Sequence, residues 1–381
     1  MDFEALVSFW GKTWKASANA STSGAVADPS FKPVIHHLFD VAAVALAIQQ
    51  SAAARLARDA EALEACPEAL ARTRAFLVGL HDLGKFSRAF QSLAPEHWPE
   101  EVLGRFEGAP SAKHWVLTGQ ILQTPDLDQI LVELFPNLSA GAHAHIGFAV
   151  GGHHGQPPTA EQQSALTRRD LRASGMVGPE CLSAAVHASR CLRGVLEPAP
   201  LGALKRARDA QRFSWSLAGL TTLADWVGSD AELFPFEPLE TELDIYWATA
   251  QSRALEAIEQ KGLRHAAPAE AGGLIKVFPA IANTPRPMQR TADELALPPG
   301  PMMAIIEDAT GSGKTEAALA LASRMIADGR AEGVFFALPT MATANAMFDR
   351  LRDAHKRLFV DKARPSLALA HGRSLLSEAL A

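Results

Sequence analysis

Only three cysteines occur in the 381 residues. Cys66, Cys181 and Cys191 stand far apart and form no C-x-x-C pair, which excludes a disulfide-stapled scaffold and points to a reducing cytoplasm. A surplus of positive charge is missing as well. Lys and Arg total 36 against 42 Asp and Glu, a net charge of -6, so the chain is no cationic sponge for nucleic acid. Any polyanion must instead meet a local patch, a metal or a helix N-terminus. No apolar run reaches the ~18 residues of a membrane span. The start, Met1-Asp-Phe-Glu4, lacks the basic segment of a signal peptide. No internal repeat and no low-complexity tract is visible. Tyrosine is scarce too, a single residue beside 13 histidines, a balance that leans toward metal chemistry.

What is present supports a sizeable core. Hydrophobic residues make up 48% and charged residues 20%, and the length suggests two domains. Up to about residue 240 apolar side chains recur at three and four, and long β-branched runs are absent. Helices are expected over Val34 to Arg58, Ala71 to Gln91, Ser183 to Leu196 and Leu204 to Val227. Loops are expected at 18–24, Gly151-Gly152, Gln156-Pro-Pro158 and Phe234-Pro-Phe-Glu-Pro238. Glu240 to Gly262 reads as a connecting helix and His265 to Gly273 as a linker, giving domains 1–240 and 274–381 joined by 241–273. After the linker the pattern changes. Met302-Met-Ala-Ile-Ile306 and Gly333-Val-Phe-Phe-Ala-Leu338 read as buried strands, and Lys314 to Ala327 and Ala342 to Lys356 as helices. Strand, loop, helix, strand, helix is the start of a parallel α/β sheet.

Between the first strand and helix lies Asp308-Ala-Thr-Gly-Ser-Gly-Lys-Thr315. A phosphate-binding loop needs glycines so that backbone N–H groups can turn inward. Here that places Thr310, Gly311, Ser312 and Gly313 around the phosphates of ATP, with Lys314 reaching the β- and γ-phosphates and Thr315 holding Mg²⁺. Asp308 stands where the general pattern has glycine. Upstream, Gln289 in Pro285-Arg-Pro-Met-Gln289 either reads an adenine edge or serves a structural turn. Thr340, in Leu338-Pro-Thr340, either faces the ligand crevice or caps the following helix.

The first half carries a second constellation: His37-Leu-Phe-Asp40, Leu80-His-Asp-Leu-Gly-Lys85, Ala112-Lys-His-Trp115, Gly151-Gly-His-His-Gly155 and Ala224-Asp-Trp-Val-Gly-Ser229. One histidine on an apolar helix is usually a packed core residue. A series of them, with aspartates, in segments bordered by Ala, Leu and Val is different, because buried imidazoles and carboxylates need partners and a divalent metal satisfies many at once. In an adjacent His81-Asp82 pair the carboxylate can bridge two ions. Bridged ions lie ~3.5–4 Å apart and clamp the attacking and leaving oxygens of a phosphodiester. Two aspartates against two divalent ions leave the site positive, so it attracts phosphate although the chain is acidic. Imidazole-rich ligation favours Mn, Fe, Co, Ni or Zn over Mg²⁺.

This series resembles the HD metal-dependent phosphohydrolase superfamily. Its order, His, His-Asp, His, His-His, Asp, is similar to the nuclease domain of the type I CRISPR-associated helicase–nuclease. Pro-Arg-Pro-x-Gln and Thr-Gly-Ser-Gly-Lys-Thr-Glu-Ala resemble motifs of the same family's superfamily 2 helicase. The resemblance implies an α-helical HD domain followed by the start of a RecA-like α/β lobe. It implies that His37, His81, Asp82 and Asp225 bind one metal and that Asp82, His114, His153 and His154 bind another, with Asp82 shared and catalytic. Lys85 either approaches the scissile phosphate or is a solvated surface lysine. His36 is the rival to His37, which the family spacing to Asp40 favours. His143 and His145 have no counterpart, and His97, His187, His265, His355 and His371 receive the same bland reading.

The implied activity is cutting of single-stranded DNA in CRISPR interference, with ATP-driven 3′-to-5′ movement in the complete protein and an RNA-guided surveillance complex as partner. The acidic Asp-Glu-x-His motif, the second lobe and its arginine finger do not follow Thr315, so the chain is expected to stop partway through the first lobe. Lys205-Arg-Ala-Arg208 and Arg350 to Arg357 either touch phosphates or are solvated helix faces. Two other functions stay open. One is a phosphohydrolase acting on nucleotides or a cyclic dinucleotide. The other is a non-cutting fragment that occupies the surveillance complex or a viral inhibitor.

Overall fold

A computed structural model of the chain describes residues 1–13, 30–154 and 175–370. The loops expected at 18–24 and 156–158, together with Gly155 and His371, lie outside these residues. Met1–Lys261 and Gly262–Ala381 form two compact units.

In the first unit, helix α1 (Phe3–Val7) leads into strand β1 (Trp10–Thr13), which pairs antiparallel with β2 (Phe31–Pro33). The helices that follow are α2 (Val34–Ser51), α3 (Ala53–Ala62), α4 (Pro67–Gly79), the short α5 (Arg88–Gln91) and α6 (Glu100–Leu103), α7 (His114–Ile121), α8 (Pro125–Leu134), α9 (Ala140–Gly151), α10 (Pro179–Leu196), α11 (Ala207–Gly228) and α12 (Leu243–Gln260). Every residue of α2 from Val34 to Ala47 is buried, so this helix, apolar nearly all round, takes the centre. Helices α4, α11 and α12 pack around it. None of the described helices is long and apolar enough to cross a membrane.

A polar clamp sets the rotation of α2. Lys32 donates to Asp40 Oδ2 at 2.5 Å and to the Phe234 carbonyl at 2.8 Å, and the hydroxyl of Tyr246, the sole tyrosine, donates to both Asp40 oxygens at 3.0 and 3.1 Å. All three side chains are buried, and removing one partner of such a pair costs about 3–5 kcal/mol. β2, α2 and α12 are thereby fixed to one another a single turn from His37.

Two expected helices are broken. The one expected over Val34 to Arg58 splits at Ala52 into α2 and α3. The one expected over Ala71 to Gln91 ends at Gly79, where Leu80 and His81 N–H groups tighten onto the carbonyls of Leu77 and Val78, three residues back. A 3₁₀ turn, Leu83–Phe86, follows. Continuation is blocked by close approach: a Cβ on Gly84 would stand 1.9 Å from the His114 carbonyl oxygen. Gly151, read above as loop, instead closes α9, and a Cβ there would lie 2.7 Å from the Trp115 carbonyl. Glycine at these two positions lets α7 touch the 3₁₀ turn on one side and α9 on the other.

The second unit contains α13 (Leu274–Val277), α14 (Pro287–Glu294), α15 (Lys314–Ala327) and α16 (Met341–Lys356). Val277, Leu319, Ile326, Leu351, Leu358 and Phe359 form its core. The buried strands expected at Met302–Ile306 and Gly333–Leu338 are not there. Among the described residues the only paired strands are β1 and β2, with one isolated bridge between Pro268 and Phe359. Met303, Ile305 and Phe335 are 85%, 74% and 88% exposed. An apolar run becomes a strand only when neighbours supply its ladder hydrogen bonds and cover its faces; among the described residues neither run has a ladder, and of the second only Phe336 packs against the core.

Candidate metal centre

Five segments of the first unit bring imidazoles and carboxylates together. His37 comes from the first turn of α2, His81 and Asp82 from the turn after α4, and His114 opens α7. His153 and His154 follow the end of α9, and Asp225 sits in the last turn of α11. They form two groups, His37/His81/Asp82/Asp225 and His114/His153/His154, with ligand atoms inside each group within 4.8 Å of one another.

Asp82 joins the groups. Its Oδ2 lies 3.1 Å from His37 Nε2 and 3.3 Å from His81 Nε2, while its Oδ1 lies 3.3 Å from His114 Nε2 and 3.4 Å from His153 Nε2. Asp225 Oδ1 stands 3.3 Å from His37 Nε2 and 3.5 Å from His81 Nε2. His154 Nε2 is 3.2 Å from His114 Nε2.

Most of these contacts have the length of hydrogen bonds without the alignment. His37 Nε2, His81 Nε2 and Asp82 Oδ1 are buried atoms with no hydrogen-bond partner among the described residues. Lone pairs aimed at a common point, rather than at each other, are what a coordination shell presents. For metal–nitrogen bonds of about 2.0–2.1 Å, tetrahedral geometry puts neighbouring ligand atoms roughly 3.4 Å apart. The donor set and its spacings therefore fit divalent ions, one in each group.

The second ring nitrogens are partly held. His81 Nδ1 lies 3.0 Å from the Val78 carbonyl and His153 Nδ1 3.4 Å from that of Val150, contacts that fix ring orientation. The cluster has a closed floor and an open rim. His37, His81, Asp82 and His153 are buried, whereas His114 and Asp225 are half-buried and His154 is exposed.

Burial lowers the basicity of three imidazoles, to about 4 at His37, about 4 at His114 and about 3 at His153, with the Lys12 and Lys85 ammonium groups adding to the effect at His37. These rings are neutral at pH 7, as ligands must be. At His81 burial pulls the same way, but the Asp82 and Asp225 carboxylates win and push it up to about 9. Burial alone would raise Asp82, yet Lys85 and the neighbouring imidazoles hold it well below the usual carboxylate range.

Two lysines border the cluster. Lys85, itself buried, donates to Asp82 Oδ2 at 2.7 Å and to the Gly11 carbonyl at 3.3 Å. Lys12, on β1, donates to the Ser229 carbonyl at 3.2 Å, and the Ser229 hydroxyl donates to Asp225 Oδ1 at 2.8 Å. Sequence reasoning missed Lys12, because a single lysine in Trp10-Gly-Lys-Thr13 carries no ligand pattern. His36 points away from the cluster and stacks on Tyr246 at 3.8 Å between ring centroids. His143 faces the Phe135 carbonyl at 3.3 Å, outside both groups.

In the second unit, Gly311 (φ +81°) and Gly313 (φ +91°) take backbone conformations that favour glycine, and α15 starts at Lys314. A cavity of 420 Å³ is lined by Thr310, Gly311, Gly313, Lys314, Thr315 and Gln289 among others. Lys314 donates to the Asp308 and Ala309 carbonyls of its own loop at 2.7 and 2.8 Å. Gln289 is engaged at both ends of its amide. Its Oε1 accepts from Arg286 N–H at 3.0 Å, and its Nε2 faces the Gly313 carbonyl at 3.5 Å. Thr340 caps α16 by accepting from the Thr343 N–H at 3.3 Å.

The family model for the Cas3 HD domain matches residues 10–234. The CRISPR-associated endonuclease/helicase Cas3 of Thermus thermophilus is 34% identical over 354 residues, 91% of this chain and 37% of that protein. Its namesake from Escherichia coli is 29% identical over 416 residues, 98% of this chain and 42% of that protein. A crystal structure described as a CRISPR-associated protein is similar at a TM-score of 0.73 and 31% identity, covering 95% of this chain and 39% of the other. The chain thus spans about 40% of the length of the relatives it matches. With most of the first unit inside the match and its imidazoles and carboxylates gathered as described, the chain belongs to the Cas3 HD domain family.

Proposed function

We propose that this chain is a metal-dependent nuclease that cuts single-stranded DNA in CRISPR interference, residues 1–240 forming the nuclease domain. The observation that carries the reading is Asp82, each of whose oxygens faces two imidazoles of a different group. His37, His81, Asp82 and Asp225 would hold one divalent transition metal (Mn, Fe, Co, Ni or Zn), and Asp82, His114, His153 and His154 the other. Such a pair of ions, when bound, supplies the positive charge that activates an attacking water and steadies a leaving oxygen. The chain's own residues do the rest. The buried floor fixes ligand orientation, Lys85 holds Asp82 ionised and borders the scissile phosphate, and the half-open rim admits a flexible strand.

Residues 274–381 are read as part of a first helicase lobe reached through 241–273. Thr310 to Thr315 would receive the phosphates of ATP and its Mg²⁺, with Gln289 beside them. In the complete protein ATP-driven movement would feed the strand to the metal centre. An RNA-guided surveillance complex would present the opened target, so sequence choice rests on base pairing and no base-reading element is needed here.

The test is incubation of the metal-loaded chain with circular single-stranded DNA beside a panel of nucleotides and cyclic dinucleotides. Nicking of the circle, dependent on Mn or another transition metal, is the expected result. Phosphate or nucleoside release without nicking would transfer the site to nucleotide hydrolysis. Neither product, with two ions bound, would leave an interaction fragment.

A further inference from the structure

The N-terminal strand is built into the metal centre more firmly than a four-residue strand requires. Gln91 grips it: its Oε1 accepts from the Trp10 N–H at 3.2 Å, and its Nε2 donates to the carbonyls of Trp10 at 2.9 Å and Lys85 at 2.7 Å. The Trp10 indole N–H in turn donates to the Gln91 carbonyl at 3.1 Å. One amide thus buckles β1 to the turn that carries Asp82 and Lys85. Gly11 presses against α2, since a Cβ there would lie 3.0 Å from Val34 Cα. Between Trp10 and Lys12 the β1–β2 register slips. An irregularity of this kind lets a strand re-aim a side chain, a device concentrated beside active sites.

The re-aimed side chain is Lys12. Lys85 is committed to Asp82 and to the Gly11 carbonyl. Among the described residues Lys12 donates to one backbone carbonyl, that of Ser229, at 3.2 Å, and Ser229 is the residue whose hydroxyl holds Asp225. An ammonium group has three donors, so two remain for a ligand. The side chain is half-buried, neither sealed in the floor nor loose in solvent, and it stands on the rim where Asp225 is also half-exposed.

We infer that Lys12 is a second phosphate-holding cation of the nuclease, donating to a non-bridging oxygen of the strand at the rim of the metal centre; this rests on the nuclease reading above. The role needs no sequence preference, because every nucleotide offers the same phosphate.

Two measurements on the full chain test it, one of which needs no cutting. The first is the binding of a short fluorescent oligothymidylate to the metal-stripped protein across a salt series. Each neutralised phosphate contributes about 0.7 to the slope of log affinity against log salt for single strands, so Lys12→Met should flatten the slope by about that amount. The second is cutting by the Mn-loaded protein, where Lys12→Met should raise KM about tenfold and change kcat less, the loss of one charge-assisted contact. Lys12→Arg should restore most of both, and melting temperature and metal content should match the unsubstituted chain. A purely structural tether to Ser229 would instead lower the melting temperature and leave the slope alone. Unchanged slope and KM in Lys12→Met would overturn the inference. If the unsubstituted chain cuts nothing with any metal, the nuclease reading fails by itself, and the salt series still decides whether Lys12 meets phosphate.

Discussion

The imidazole–carboxylate cluster of the first unit and the glycine loop of the second are both proposed to meet phosphate, and they differ in how much of the protein each requires. His37, His81, Asp82, His114, His153, His154 and Asp225 come from five segments and meet only because α2, α4, α7, α9 and α11 pack as they do. The loop from Asp308 to Thr315 is continuous, and the start of α15 is built in at its end. Its glycines already hold the turn, but Lys314 lies folded on its own carbonyls and the apolar run before the loop, Met302–Ile306, is largely exposed and, among the described residues, unpaired. The distributed site is thus the more completely assembled of the two. A buried cluster is fixed by the core that surrounds it, whereas a loop at the end of a strand is only as well placed as the sheet behind it.

The sharpest break of this contrast is Asp82→Ala. With the shared carboxylate gone, both groups lose a ligand at once. Metal affinity and DNA cutting should each fall by more than about a hundredfold, beyond the usual effect of a supporting residue. Elemental analysis after dialysis and the circular-DNA assay check this. Retention of both ions with full cutting would remove Asp82 from the centre.

Gly84→Ala should separate the two groups. The added methyl would collide with the His114 carbonyl and displace the start of α7, while His37 and Asp225 are carried by α2 and α11 and His81 by the turn after α4. One equivalent of metal should remain where two were bound, and cutting should fall about 10- to 100-fold with helix content preserved. Loss of both equivalents together would mean that the groups do not assemble independently.

The naming of these side chains was within reach of sequence because imidazole and carboxylate in apolar segments are costly without partners, a cost that depends little on topology. His37 could be set against His36 only by the family spacing to Asp40 that the resemblance supplied, and the fold separates them by turning His36 onto Tyr246. The helices were legible for a similar local reason, since the three-four recurrence that buries α2 is written in its own residues. Breaks were not. The end of α4 depends on Gly84 meeting a backbone carbonyl thirty positions onward, and nothing near Gly79 announces it. Met302–Ile306 and Gly333–Leu338 failed as strands because a parallel strand is defined by neighbours, which no single segment contains. Lys12 escaped because its meaning lies in what Gln91 and Ser229 do to its strand.

Proton release on metal binding probes the floor of the cluster more gently. His81 in the metal-free chain is pushed up to about 9, above the roughly 6.5 of an unfolded histidine, so its charge stabilises the fold fully below about pH 6.5 and that stabilisation is lost as pH rises through 9. His37, His114 and His153 titrate lower than in the unfolded chain, so their neutrality costs stability as pH falls below about 6.5. Between these opposing slopes the metal-free chain should be most stable at about pH 7. Metal binding must displace the His81 proton, so at pH 7.5 calorimetry in buffers of different ionisation heat should register about one proton released, and affinity should rise about tenfold per pH unit up to pH 9. No proton release would mean that His81 is neutral before the metal arrives.

The smallest effect is expected in the other unit. Lys314 is the group a nucleotide would recruit, yet its present bonds are to two carbonyls of its own exposed loop. Lys314→Ala should abolish ATP binding while leaving unfolding stability within about 0.5 kcal/mol, the usual range for an exposed site. Cutting of circular single-stranded DNA without nucleotide should be unchanged, because every group proposed to hold metal or phosphate there belongs to the first unit. A fall in nucleotide-free cutting would show that the glycine loop contributes to the metal centre even when empty, and the two sites would then have to be treated as one coupled device rather than as a completed site beside an incomplete one.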